Sequence, residues 1–279
     1  MNKTKFCRLM LIVASVMLLL TLSTDFCVGQ YFSANIFANN AHRITETTIG
    51  KYAGNVKTTS SSDEHSDPFY YSTEQIVALS KFDPRNTLTN VKDQGDSNLC
   101  WAYSAINATE ASVLKHKIGT KDSLNLNPNA LAYRKYIRNA DPLGNNGSYQ
   151  DKNYTNWLYN AGTIEQTPAI LSMWQGPISG DRPSADVWEN SLYRLESANL
   201  INSELTGEAR IEEIKRAIAE YGAVTASCYY DGGTRHYYND KAVTNGIAHA
   251  ITLIGWDDNI DKSLFAPGQV STNGGWLVK

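Results

Sequence analysis

The chain has 279 residues, 42% hydrophobic and 19% charged, so it can form one large or two small domains around a buried core. A formal net charge of −3 argues against a basic face for nucleic acid and a polybasic membrane signal. We therefore expect a globular protein without nucleic-acid partners.

Residues 1–29 have the pattern of a secretory signal peptide. Basic residues precede an uncharged, mostly apolar run at residues 9–22, and small residues follow at 27–29. The run is shorter than the roughly 20 residues of a membrane-spanning helix. We expect a secreted or cell-surface protein without stable membrane insertion after cleavage, and an uncleaved anchor is the alternative.

Residues 30–80 are predicted to be a polar extension or a propeptide that is mostly disordered. Residues 58–67 contain no apolar side chain, which is typical of a flexible linker. Signals of folded structure begin near Lys81, so the folded domain is predicted over residues 81–279.

The predicted elements of this domain change from helices to strands along the chain. Helices are predicted over residues 100–117 (ending at Gly119), 129–138, 168–174 and 210–221. Strands are predicted over residues 223–230, 249–255 and 275–279. Up to about residue 201 the pattern is mainly helical. This order indicates an α+β protein with segregated layers.

Of the four cysteines, Cys7 and Cys27 lie in the predicted signal, and export leaves Cys100 and Cys228. Two cysteines are too few for a small domain held together by disulfides. Apolar residues alternate around Cys228, so it is predicted to be a buried strand residue.

Cys100 stands at the start of a predicted helix, six residues after Gln94. The positive end of the helix dipole and free backbone N–H groups stabilise a thiolate at that position. The same N–H groups, together with the amide of Gln94, can hold the oxyanion of a tetrahedral intermediate. His249 opens a predicted strand and is the candidate base, with His236 in a loop as the rival.

These segments closely resemble the papain-family cysteine peptidases. The resemblance is carried by residues 91–95 (Val-Lys-Asp-Gln-Gly), 100–104 (Cys-Trp-Ala-Tyr-Ser) and 249–256 (His-Ala-Ile-Thr-Leu-Ile-Gly-Trp), and extends over residues 82–279. Three further segments resemble the secreted bacterial and archaeal branch, whose members often carry a lectin-like domain. These are residues 82–85 (Phe-Asp-Pro-Arg), 174–177 (Trp-Gln-Gly-Pro) and 255–259 (Gly-Trp-Asp-Asp-Asn).

The resemblance implies a papain-like fold of two lobes, with a helical N-terminal half, a β-sheet C-terminal half and a cleft between them. It implies a secreted endopeptidase that hydrolyses peptide bonds through a thiolate–imidazolium pair, in which Cys100 is the nucleophile and His249 is the base and later the acid. Gln94 and the Cys100 N–H would bind the oxyanion, and Gly162 and Asn98 are the candidate substrate-binding residues. Polypeptides would be the substrates, with no cofactor and no metal.

The sequence departs from the family pattern at several positions. Ser97 stands where the family often has a disulfide-forming cysteine, and Asn98 stands where it has a glycine. The family continues with Asn-Ser-Trp-Gly after the position of Lys279, and that Asn orients the histidine. We therefore expect a C-terminally truncated chain without its last strands, in which hydrolysis is weak.

Two other functions remain open from the sequence. One is an inactive surface pseudopeptidase that binds polypeptide or glycan, which the missing Asn and Asn98 favour. The other is a Cys–His acyltransferase, since the same pair of side chains can pass an acyl group to an amine.

Overall fold

The computed structural model describes residues 31–38, 67–136, 154–172, 177–179, 193–202, 204–230, 247–265 and 270–279. The helices in these ranges are α1 Thr73–Val77, α2 Cys100–Lys115, α3 Pro128–Tyr136, α4 Gln166–Ser172 and α5 Gly207–Tyr221. The strands are β1 Tyr31–Ala38, β2 Lys81–Phe82, β3 Tyr193–Ile201, β4 Val224–Tyr230, β5 Ile247–Asp257 and β6 Gly275–Val278. Short 3₁₀ helices occupy Pro68–Tyr70, Lys121–Ser123, Tyr154–Tyr159 and Lys262–Leu264.

The strands of the described chain form one six-stranded sheet in the order β2-β5-β4-β1-β3, with β6 also paired to β5. The pairings are antiparallel. Together with the helices, this sheet confirms the predicted α+β class. The predicted strands correspond to β4, β5 and β6, with ends that differ by one or two residues.

Strand β3 corrects the prediction that the chain is mainly helical as far as residue 201. It pairs along its length with β1, from Tyr193 opposite Ala38 to Ile201 opposite Tyr31. Only its two end residues are buried, and residues 196–200 are exposed. Apolar and polar residues alternate from residue 193 only as far as residue 196, so the sequence carries a short strand signal that is interrupted before the middle of β3.

Part of the predicted disordered extension is folded, which corrects that prediction for residues 68–77. The hydroxyl of Ser72 and the side chain of Gln75 cap each other's backbone at the start of α1. Phe69 and Ile76 are buried and pack into the core. Strand β1 also lies in the extension. Residues 39–66 and the predicted signal lie outside the described ranges, and the propeptide assignment stays a prediction.

Helix α2 lies at the centre of the fold. Nearly every residue from Trp101 to Leu114 is buried, so the helix is covered on most of its surface. Small residues such as Ala105 and Ala108 allow neighbouring elements to pack on several sides. The helix ends before the predicted stop at Gly119, because Lys117 adopts a left-handed φ of 56° and the N–H of Ile118 bonds the carbonyl of Val113.

The core joins the first helices to the sheet. Trp256 on β5 is fully buried, donates from Nε1 to the carbonyl of Leu79 at 3.0 Å and packs against Phe82 with ring centroids 5.2 Å apart. Residues 79–82, which precede Gln94 and Cys100, are thereby fixed to β5, the strand that carries His249. Within the described part of the chain, no helix is long and apolar enough to cross a membrane.

Candidate active site

Cys100 is the first residue of α2 and its side chain is half-buried. Leu99 precedes it as the N-cap, is fully buried, and offers no side-chain hydrogen bond to the helix. The first turn contains no acidic residue. The helix therefore starts at Cys100, as the sequence predicted, and its first N–H groups have no side-chain cap.

The loop before Cys100 is held by a compact turn between Gln94 and Ser97. The Gln94 side chain donates from Nε2 to the Ser97 carbonyl at 2.8 Å, and the Ser97 hydroxyl donates to the Gln94 carbonyl at 2.7 Å. Gly95 makes the turn possible with a left-handed φ of 55°. The bond to Ser97 uses one of the two hydrogens of the Gln94 amide and fixes its orientation.

Asn98 joins this loop to the end of the 3₁₀ helix Tyr154–Tyr159. Its backbone N–H donates to the carbonyl of Leu158 at 2.9 Å, and its Nδ2 donates to the carbonyl of Tyr159 at 2.6 Å. Asn98 thus links the loop before Cys100 to residues 158 and 159 through two hydrogen bonds. Its predicted contact with substrate stays a prediction.

Gly162 lies in residues 160–163, a half-exposed segment that follows the same 3₁₀ helix. A Cβ at this position would be 2.6 Å from two atoms of the Trp101 indole and 2.8 Å from Nζ of Lys135. Only glycine fits without displacing these side chains. A segment without a side chain at this point is suited to backbone contact with a ligand.

His249 lies near the start of β5 and is half-buried. Burial lowers the pKa of its imidazole below the ordinary value of 6.5. The ring of Tyr230 stacks on it, with centroids 5.7 Å apart and an interplanar angle of 27°.

Cys228 is directly opposite His249 in the β4–β5 register and is only half-buried, which corrects the prediction of a buried residue. Neither Cys100 nor Cys228 is in a disulfide.

Helix α2 and strand β5 meet close to both predicted residues. The hydroxyl of Ser104 donates to the carbonyl of Ile251 at 2.6 Å, and the hydroxyl of Thr252 donates to the Ser104 carbonyl at 3.2 Å. Cys100 lies one helical turn, about 6 Å, before Ser104. His249 lies two strand residues, about 7 Å, before Ile251. Cys100 and His249 therefore lie within one helical turn and two strand residues of the same helix–strand contact.

Two groups near the site have no signal in the sequence. Lys135 on α3 is buried beside Trp101, although a lysine in an amphipathic helix is typical of a solvated face. Tyr230 contacts His249 through a diagonal cross-strand position that only the register reveals. The rival base His236 lies outside the described residues.

The model of the family described as papain family cysteine protease matches residues 78–278. Gamete and mating-type specific protein A of Dictyostelium discoideum is 28% identical over 179 residues, which are 62% of this chain and 36% of that protein.

Solved structures that are similar to this chain include two of known cysteine proteases. The cysteine protease and lectin-like domains of Cwp84, a surface layer associated protein of Clostridium difficile, are 21% identical with a TM-score of 0.48, covering 72% of this chain and 44% of that one. Digestive procathepsin L 3 of Tenebrio molitor larval midgut is 14% identical with a TM-score of 0.44, covering 66% and 56%.

The chain spans less than two thirds of the length of each of these relatives. The narrower resemblance to the secreted bacterial and archaeal branch stays a prediction. Because the family model matches most of the chain, including both predicted motifs, the chain belongs to the papain family of cysteine proteases.

Proposed function

We propose that the protein is a secreted cysteine endopeptidase in which Cys100 is the nucleophile and His249 is the general base and acid. One observation carries the proposal. Cys100 opens an uncapped helix, and the strand that carries His249 is joined to that helix at the contact between Ser104 and Ile251. This arrangement supports a thiol and an imidazole that act on the same bond.

In the proposed reaction, His249 accepts the thiol proton and the Cys100 sulfur attacks the peptide carbonyl carbon. The carbon–nitrogen bond then breaks, and the departing amine takes the proton from His249. Water, deprotonated by His249, attacks the thioester, and the acid product and the Cys100 thiol are released. The reaction is hydrolysis and is balanced without an oxidant or reductant.

The environment of His249 suits a base that must first be neutral. Burial lowers the pKa of His249, so the free imidazole is favoured near neutral pH. Once Cys100 has lost its proton, the negative sulfur stabilises the imidazolium in turn. The stacked ring of Tyr230 restricts the orientations that the imidazole can adopt.

The oxyanion would be held by two donors from the start of α2 and the loop before it. These are the backbone N–H of Cys100 and the second amide hydrogen of Gln94, whose first hydrogen bonds Ser97. Donors that are already oriented need no reorganisation when the negative charge develops. The proposed substrate is a polypeptide whose backbone lies along residues 160–163.

Export is the second part of the proposal and rests on the sequence of residues 1–29. Expression of the 279-residue chain in a secreting host, followed by N-terminal sequencing of protein from the medium, tests it. We expect a mature N-terminus near Gln30. Retention of the whole chain in the cell membrane with residues 1–29 intact would contradict export.

The catalytic proposal is tested by labelling with a peptidyl epoxide that alkylates nucleophilic thiols of peptidases. Mass spectrometry should locate the adduct at Cys100, and Cys100→Ala should abolish it. Cys228→Ala is the matched control, since it removes the other described thiol, which lies directly opposite His249. This control should keep at least half of the wild-type labelling rate.

Other outcomes of this experiment decide between the possible functions. An adduct at Cys228 alone, or no adduct in the folded chain, would contradict a peptidase. If an added amine is incorporated into products more often than water, mass spectrometry will show an acyltransferase instead of a hydrolase.

A further inference from the structure

Lys135 is a buried amine that the proposed reaction does not use. Only 5% of the surface of Lys135 is exposed. Within the described chain its Nζ donates to the hydroxyl of Tyr136 at 2.9 Å and to Oε1 of Gln166. These partners are a phenol and a carboxamide, so neither hydrogen bond pairs the ammonium charge of Lys135 with a carboxylate. Such burial costs free energy, and the contacts made by the amine show what it holds in place.

Both hydrogen-bond partners of Lys135 extend to the segment at residues 160–163. The hydroxyl of Tyr136 lies 3.2 Å from the carbonyl oxygen of Asn160 and 3.0 Å from that of Ala161, to which it donates. Oε1 of Gln166 also accepts from the backbone N–H of Thr163 at 3.4 Å. The backbone on both sides of Gly162 is therefore bound to the partners of one amine.

Lys135 also contacts the residue that follows Cys100. Its Nζ lies 4.6 Å from the centroid of the Trp101 ring, within the range of a cation–π interaction. The same Nζ would be 2.8 Å from a Cβ at Gly162, so the amine lies directly beneath that backbone. Lys135 thus links the start of α2, the end of α3 and the segment around Gly162.

We propose that Lys135 is a positioning residue for peptide substrates, because its ammonium holds residues 160–163 and the Trp101 indole in the geometry that receives the substrate backbone. The inference rests on the proposed function, in which this segment contacts the substrate. Lys135 does not touch the reacting atoms in this account. It is expected to affect the binding of peptidyl ligands and not the intrinsic reactivity of Cys100.

The charge of Lys135 gives this role a pH dependence. Burial lowers the pKa of Lys135 from 10.5 to about 8. The groups that face it are the indole of Trp101 from α2, the phenol of Tyr136 from α3, the carboxamide of Gln166 from α4, and backbone of residues 160–163. Above about pH 8 the neutral amine loses the cation–π attraction and one of its donors, so the segment is held less firmly.

The test compares two reagents on the intact chain. A peptidyl epoxide requires the substrate-binding segment, whereas iodoacetamide requires only the thiol of Cys100. The measured quantity is the ratio of the two second-order rate constants at Cys100. We expect Lys135→Met to lower this ratio at least tenfold at pH 7, with the iodoacetamide rate within twofold of wild type.

The chain offers a matched control in Lys115. Burial also lowers the pKa of this lysine, and its Nζ lies 5.5 Å from the centroid of the Phe69 ring, at the opposite end of α2 from Cys100. Lys115→Met should leave the ratio within twofold of wild type. Tyr136→Phe removes the hydroxyl that donates to the Ala161 carbonyl and should lower the ratio at least threefold, which keeps the test decisive if Lys135→Met does not fold.

The pH arm distinguishes positioning from a merely structural role. In wild type the ratio should fall as the pH is raised through about 8, and in Lys135→Met it should be flat. An unchanged ratio in Lys135→Met and Tyr136→Phe, with normal labelling of wild type, would overturn the inference alone. Failure of the peptidyl epoxide to label wild type, while iodoacetamide reacts normally, would contradict the proposed function and this inference with it.

Discussion

The hydroxyl of Ser104 donates a hydrogen bond of 2.6 Å to the backbone carbonyl of Ile251. The hydroxyl of Thr252 donates to the Ser104 carbonyl at 3.2 Å, so the helix and the strand are bonded in both directions. Cys100 lies one helical turn before Ser104 and His249 lies two residues before Ile251, so we expect this contact to help position both side chains.

Ser104→Ala should therefore affect both stability and reactivity. Removing the hydroxyl leaves the Ile251 carbonyl without this donor, at a cost of about 1–3 kcal/mol in the free energy of unfolding. The peptidyl epoxide should label Cys100 at least fivefold more slowly. Thr109→Val is the control, because the Thr109 hydroxyl bonds the Ala105 carbonyl within the same helix at 2.9 Å. Equal losses of labelling in the two variants would contradict a specific role of Ser104.

Gln94→Ala tests the oxyanion donor. If the Gln94 amide stabilises the transition state, its loss should reduce kcat for peptide hydrolysis about 10²–10³-fold. Alkylation of Cys100 by iodoacetamide forms no oxyanion and should change less than threefold. Ser97→Ala, which removes only the hydroxyl bond to the Gln94 carbonyl, controls for loosening of the turn. An equal fall in kcat in both variants would assign the effect to the turn.

Glu110 is predicted to be the most sensitive polar residue of α2. Its buried carboxylate accepts from the hydroxyl of Thr89 at 2.5 Å and the N–H of Leu126 at 2.8 Å, and pairs with Nζ of Lys92 at 3.1 Å. Glu110→Gln should lower the free energy of unfolding by about 3–5 kcal/mol in denaturant titrations.

The exposed pair of Glu212 and Arg216 on α5 supplies the comparison for Glu110. Its side chains are 66% and 41% exposed, so Glu212→Gln should change the free energy of unfolding by less than about 1 kcal/mol. A loss for Glu110→Gln no larger than that of Glu212→Gln would contradict a stabilising role for the buried carboxylate.

Lys135 should also make stability depend on pH. Its pKa is about 8 in the folded chain against an ordinary 10.5, so between these values the unfolded chain binds more protons and the free energy of unfolding rises with pH. Below about pH 8 the cost of burying the charge is fully present. Denaturant titrations at about pH 7.5 and 9.5 should show wild type gaining stability relative to Lys135→Met, and a constant difference would contradict this.

The parts of the fold that could be predicted have local causes. The helix from Cys100 to Lys115 contains neither glycine nor proline, and the strands β4 and β5 alternate apolar residues or are rich in them. The motif around Gln94 and Cys100 is enough to predict a thiol at the start of a helix. Local signals are sufficient at these positions because the chain neighbours of each residue determine its conformation.

The remaining features depend on contacts that are distant in sequence. Strand β3 is mostly exposed and alternates apolar and polar residues from residue 193 only as far as residue 196, so its pairing with β1 decides its conformation. Lys135 has the sequence context of a surface lysine, and only the packing of α2, α3 and α4 buries it beneath Gly162. The pairing of Cys228 with His249 likewise follows from the register of β4 and β5, which the two separate strand patterns do not specify.

The most direct test of the account is the pH dependence of Cys100 alkylation by iodoacetamide in wild type and His249→Gln. An imidazolium next to a thiol stabilises the thiolate, so alkylation of wild-type Cys100 at about pH 6 should depend on His249. His249→Gln should slow the reaction at that pH at least tenfold and leave the rate at about pH 9 within twofold. Identical pH profiles for the two proteins would contradict a catalytic pair of Cys100 and His249.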